Sequence, residues 1–84
     1  MSKAYIHSWK PDVPPNDNRN VYTFCSKAEV AAAWPLREFA EVERMELNRG
    51  VTIPYGGLYV CREFHVEERT PEEFVIYCEI PFDL

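Results

Sequence analysis

The chain has no apolar run approaching the ~20 residues that a membrane-spanning helix requires, so no such span is expected. No apolar stretch follows Lys3, so no export signal is expected and the cytoplasm is the expected compartment. Cysteine is scarce: Cys25, Cys61 and Cys78 are odd in number, widely spaced and contain no CxxC pair, which argues against a disulfide framework and matches no zinc motif. Basic residues are too few for direct nucleic-acid binding, since the formal net charge is −5 and such binding needs a positive footprint. There is no internal repeat and no low-complexity segment.

What is present is a lopsided charge distribution. Residues 63–84 hold seven acids (Glu63, Glu67, Glu68, Glu72, Glu73, Glu79, Asp83) against Arg69 alone, whereas residues 1–62 hold seven acids and eight bases. The acidic excess therefore sits in the C-terminal quarter, and a basic protein partner is compatible with it. With 84 residues the chain is one expected domain, 1–84, burying only about 60–65% of its unfolded surface. Its hydrophobic fraction of 46%, rich in aromatic and β-branched residues, argues against disorder over the whole chain.

Alternation predicts a first strand over residues 3–9, with Tyr5, His7 and Trp9 on one side and Ala4, Ile6 and Ser8 on the other. Residues 10–20 read as a long Pro/Asn-rich loop, followed by a short strand over 21–25. Ser26-Lys27-Ala28-Glu29 matches a capping box and predicts a helix start, with Pro35 kinking or breaking the helix and Gly50 ending it. Val51–Ile53 reads as extended, Pro54–Gly57 as a turn, and residues 58–68 and 74–82 as two strands joined around Thr70-Pro71-Glu72. The order β-β-α-(β)-β-β gives an α+β fold: an antiparallel sheet of four to five strands with one Pro-kinked helix packed on one face.

In the C-terminal hairpin the even positions are apolar: Leu58, Val60, Phe64, Val66, Phe74, Ile76, Cys78, Ile80 and Phe82, with Arg62 the single violation. Arg62 is expected to snorkel at a sheet end or to pair with Glu43 or Glu46. The odd positions include Tyr59, Cys61, Glu63, His65, Glu67, Glu73, Val75, Tyr77 and Glu79. To keep both apolar sets inward the hairpin loop needs an odd number of residues, which pairs Val66 with Ile76, Phe64 with Cys78, His65 with Tyr77 and Glu63 with Glu79. In this register Cys61 and Cys78 fall on opposite faces.

The odd face has two readings. One is the solvated side of a one-sided antiparallel sheet. The other is a recognition surface in which Tyr59, His65 and Tyr77 supply contact area while Glu63, Glu67, Glu73 and Glu79 steer a basic partner. As an imitation of DNA it is sparse: Glu63 and Glu67 lie ~13 Å apart along a strand, a length over which a duplex presents roughly eight phosphates. Occupying the basic nucleic-acid groove of another protein demands less.

Catalytic readings are weaker. Cys25 with His7 offers a thiol and a base at the expected helix start, but no orienting group or oxyanion motif accompanies them. His65 and Tyr77 on an exposed sheet face exclude no water. Cys25, Cys61, Cys78, His7 and His65 supply ligand types without metal spacing, and Gly56-Gly57 lacks the Lys-Ser/Thr of a phosphate loop. No enzyme, metal or cofactor is therefore expected. In size and charge the chain resembles small phage- and plasmid-encoded inhibitors, among them the anti-CRISPR proteins; that resemblance rests on no motif and implies an inhibitor acting by protein binding. The alternative is a self-associating homodimer domain, using a sheet edge or exposed Tyr5, Trp9 and Trp34.

Overall fold

The alternating segments form strands that are joined by a connector running between two of them. A computed structural model describes residues 2–11, 20–53 and 59–81. Strands β1 (Ser2–Pro11) and β2 (Asn20–Cys25) are followed by a single 3-10 turn, Lys27–Glu29, and by helix α1 (Arg37–Leu47). Strands β3 (Val51–Ile53), β4 (Tyr59–Cys61), β5 (Phe64–Thr70) and β6 (Glu73–Ile80) complete the order. Four strands make one antiparallel sheet in the order β2-β1-β6-β5, and β3 and β4 pair separately as a small second sheet. With α1 on one face of the larger sheet, the fold is α+β, as the polarity pattern predicts. Residues 12–19, 54–58 and 82–84, which include most of the expected loop, the Pro54–Gly57 turn, Leu58 and Phe82, lie outside the described residues.

The C-terminal hairpin has the expected register: Phe64 pairs with Cys78, His65 with Tyr77 and Val66 with Ile76. The odd loop count arises in a different way. Pro71 and Glu72 form the turn, and a register shift between Glu68 and Thr70 supplies the third residue as a bulge at Arg69. The N-terminal hairpin is longer than expected, since Lys10 pairs with Val21 and Pro11 with Asn20. Pro11 is tolerated because it is the last residue of its strand.

The expected helix start at Ser26 is not formed. Ser26 is extended and makes no side-chain cap bond, and beyond the 3-10 turn the chain is extended through Trp34. Pro35 disfavours a helical residue before it, so α1 begins only at Arg37, after an extended Leu36. Instead of helical partners, the connector takes partners from the sheet. Ala32 N–H donates to the His7 carbonyl at 2.8 Å, while Trp34 and Phe74 exchange two backbone hydrogen bonds of 2.8 and 2.9 Å. His7 sits at a bulge in β1, between the paired Ile6 and Ser8, which turns its carbonyl toward the connector.

This arrangement creates two cores. The larger, on the helix side, contains Ala4, Ile6, Phe24, Trp34, Ala40, Leu47, Ile53, Cys61, Phe64, Phe74, Ile76, Cys78 and Ile80. The smaller lies on the opposite face and consists of Tyr5, Cys25 and Val75, with Val30 and Tyr77 packed against it. Val30 belongs to one core and Trp34 to the other, so the connector passes from one face of the sheet to the other through the gap between β1 and β6. Tyr5 and Trp34 are accordingly buried, which removes them as an exposed dimer surface; the Trp9 side chain lies outside the described part.

Helix α1 ends at a cap that also positions the interaction face. Asn48 is the C-cap, and Gly50, two residues on, has φ +118, a conformation that glycine accepts readily. Asn48 Oδ1 accepts a hydrogen bond from Phe64 N–H at 2.8 Å, fixing the first residue of β5. Asn48→Ala leaves that partly buried amide unpaired and is expected to cost about 1–2 kcal/mol in a denaturant titration. Glu46→Ala, which loses only an exposed ion pair to Arg49, should cost under about 0.5 kcal/mol.

Candidate interaction face

Strand parity places Tyr5 of β1, His65 and Glu67 of β5, and Glu73, Val75, Tyr77 and Glu79 of β6 on the sheet face opposite the helix. Val30, just after the 3-10 turn, packs over the Tyr5, Cys25 and Val75 part of this face. There Tyr5 Oη donates to Glu67 Oε1 at 3.0 Å, Lys27 Nζ lies 3.1 Å from Glu67 Oε2 and Lys3 Nζ 3.8 Å from Oε1. Burial pushes the Glu67 carboxyl up, but the hydrogen bonds and charges of Lys27, Tyr5 and Lys3 outweigh it, so the pKa falls below the usual carboxylate value. The same burial, reinforced by Glu67, pushes the Tyr5 phenol up to about 12. Arg69 hydrogen-bonds Glu73 at 2.8 Å and the Val30 carbonyl at 3.2 Å, and lowers the pKa of Glu73.

Much of the C-terminal acidic excess thus serves the fold. Glu67, Glu73 and Glu68, the last 3.9 Å from Arg37, are paired internally, mostly with bases from earlier in the chain. Among the described residues Glu63, Glu72 and Glu79 form no ion pair. Glu72 is in the hairpin turn, whereas Glu63 and Glu79 face a common hollow of about 160 Å³, lined also by Tyr59, Val60, Cys61, Arg62 and His65. His65 in turn packs on Tyr77 with ring centroids 5.4 Å apart, and Tyr77 carries Lys3 Nζ 4.6 Å above its ring.

The seven residues expected to form one docking surface therefore divide. Tyr59, Glu63, His65 and Glu79 converge on the hollow with Tyr77 beside them, while Glu67 and Glu73 are turned to internal partners. Alternation does not reveal the hollow because residues 58–68 are not one strand. The chain breaks at Arg62 and Glu63, with β4 in one sheet and β5 in the other. The break reverses parity upstream: Val60 is exposed and Cys61 buried, opposite to the expected arrangement. Arg62 is exposed, with its guanidinium against Gly50, and the expected Glu63–Glu79 strand pair is absent because Glu63 precedes β5. Arg62, the one polar residue on an apolar stripe, is the signal in the sequence that marks the break.

Cys61 and Cys78 share the helix-side core, in contrast to their expected placement on opposite faces, and burial pushes the Cys78 thiol pKa up. Cys25 is buried, and burial together with the Glu29 carboxylate raises its thiol pKa, the reverse of nucleophile activation. No group of three or more His, Cys, Asp or Glu side chains among the described residues is arranged to hold a metal ion, and no helix among them is long and apolar enough to cross a membrane. A second surface feature escapes the sequence reading. Phe39, Val42 and Met45, at i, i+3 and i+6 of α1, are exposed by 53, 63 and 63%, and Leu36 before them is half exposed.

No protein-family model matches the chain, and comparisons with curated proteins and with solved structures find no match.

The depressed Glu67 pKa has a signed consequence for stability. A carboxylate whose folded pKa lies below its unfolded value contributes stability that is present above the unfolded pKa and lost as pH falls through the folded pKa. Thermal melts from pH 5 downward should show stability falling below the ordinary carboxylate value of 4.5. Glu67→Gln should be less stable than wild type at pH 7 and should narrow the gap to wild type as the pH drops; an unchanged gap would contradict the role assigned to this carboxylate.

Proposed function

We propose that the protein is a small protein-binding module or inhibitor that docks the hollow-bearing face on a basic surface of a partner, such as the nucleic-acid groove of another protein. The observation that carries this reading is the separation of the acids. Of the C-terminal acids not spent on internal ion pairs, Glu72 lies in the hairpin turn, while Glu63 and Glu79 sit together beside His65, Tyr59 and Tyr77. Aromatic side chains supply rigid contact area at an interface, and the carboxylates at their rim steer association and select charge. Arg62 on the same rim tempers the negative potential, so the partner is expected to present both cations and an acceptor for the guanidinium. An inhibitor of the anti-CRISPR kind is one instance of this reading, supported by size and charge alone.

The test uses the whole chain as bait in extract from its native host, with Glu63→Lys/Glu79→Lys as a parallel bait. A partner bound through this face should be captured at low salt, lost as ionic strength rises past about 0.15 M, where the screening length falls to ~8 Å, and weakened by about tenfold or more with the charge-reversed bait. Glu73→Lys should have a smaller effect. Capture that is indifferent to both salt and the double reversal would overturn the reading.

A second reading, self-association, is favoured by one observation, the exposed stripe Phe39–Val42–Met45 on α1. A second copy laid across this helix would cover three apolar side chains that the fold leaves to solvent. Light scattering over a hundredfold concentration range should then show a dimer that Val42→Glu abolishes; a monomer throughout would exclude it.

A further inference from the structure

We propose that the chain forms a symmetric dimer through the outer edge of β5: β5 of a second copy pairs antiparallel about Val66, and the two four-stranded sheets become one. This rests on the self-association reading above and names the strand, the register and the bonds that make the contact.

The open edge carries the proposal. β5 ends the strand order β2-β1-β6-β5 and pairs with β6 alone. Phe64 N–H donates to Asn48 Oδ1, so it points away from β6, and the direction of N–H and C=O groups alternates along a strand. Val66 and Glu68 therefore also turn their N–H and C=O groups outward. Phe74, opposite Glu68, agrees with this, since its own N–H and C=O bond Trp34 on the far side of β6. Outside the β5–β6 ladder no described residue bonds the main chain of Val66 or Glu68. A row of unpaired edge groups is a template for another strand.

Charge selects the occupant and the register. Laid against its own reverse about Val66, β5 sets Val66 on Val66, His65 on Glu67 and Phe64 on Glu68. No two acids are opposed, and a β-branched pair lies at the centre. A dyad at either of the next two residues would set Glu67 on Glu67 or Glu68 on Glu68. At the dyad the two Val66 residues exchange N–H and C=O bonds. Glu68 N–H donates to the second copy's Phe64 carbonyl, and the Glu68 carbonyl takes the place of Asn48 Oδ1 on the second copy's Phe64 N–H. That bond is exchanged and not lost.

The dyad stands normal to the sheet, so both copies of α1 lie on one face. α1 follows the edge strand, with Asn48 at Phe64 and Arg37 3.9 Å from Glu68. Met45, one turn before Asn48 and on its flank, is exposed by 63% and is turned toward the second helix. Phe39 lies one turn from Glu43, which hydrogen-bonds Tyr22 of β2 at the opposite edge, and stays outside the contact.

The test uses the full chain. Sedimentation velocity over a hundredfold concentration range should show a monomer–dimer equilibrium, and amide hydrogen exchange at the two ends of that range locates the interface. The Val66 and Glu68 amides should exchange fast in the dilute chain and about tenfold more slowly in the concentrated one. The His65 and Glu67 amides, directed at β6, should be protected in both. Glu68→Pro removes an outward donor at an exposed position, where an edge strand tolerates proline; it should stay folded by circular dichroism and become monomeric. His65→Glu, which opposes two acids, should weaken the dimer. Asn48→Ala, whose lost cap is replaced only in the dimer, should tighten it by about tenfold. A monomer at every concentration would overturn this proposal and self-association together. A dimer whose Val66 and Glu68 amides stay in fast exchange, and which survives Glu68→Pro, would overturn this interface alone and leave α1 to carry self-association. Should Glu68→Pro unfold, the exchange pattern and Asn48→Ala decide.

Discussion

The two backbone hydrogen bonds between Trp34 and Phe74 hold the architecture in its present form. Together with the bond from Ala32 to the bulged His7 carbonyl, they fix the connector in the gap between β1 and β6. From that one constraint follow the late start of α1, the cover over Tyr5, Cys25 and Val75, and the presence of apolar side chains on both faces of β6. Buried backbone groups have to be paired, and an extended connector between two strands satisfies its donors as well as a helix would. The helix-favouring signal at Ser26 is a local preference of about 1 kcal/mol, which tertiary pairing of this kind readily outweighs.

Charge follows the same division. The connector brings Lys27 to Glu67, and Arg69 reaches back to Val30 and Glu73, so the covered part of the face is held by ion pairs. Beyond the connector the sheet is uncovered, and there Glu63 and Glu79 keep their charge facing water. The acidic character of the C-terminal quarter therefore has two physical roles. One part closes the fold over a small second core, and the other is displayed around a hollow with aromatic walls.

The fold class and the hairpin register were legible because period-two alternation holds over Phe64–Glu68 and again over Phe74–Ile80, and a slip by one residue would have turned Ile76 and Cys78 to solvent. Three features were less legible. Val75 and Tyr5 look like surface residues by parity and become buried only because a distant segment crosses over them. Cys61 and Cys78 look opposed when alternation is carried through Arg62 and Glu63, although the chain leaves one sheet there and enters another. The exposure of Val42 and Met45 is set by how α1 sits on β5 and β6. The residues that break a local pattern, Arg62 above all, mark the places where tertiary structure overrides alternation.

The passage of residues 26–36 through the plane of the sheet also limits the length of the seam between β1 and β6. β1 and β6 zip together only from Ser2↔Ile80 to Tyr5↔Tyr77, because beyond that point the intervening segment occupies the seam. The closure of the first and last strands of the described chain therefore spans these four residues only. This closure joins residues far apart in sequence, the kind of contact that slows folding. The same short seam separates the two hydrophobic clusters, so a fluctuation that parts it would wet both at once.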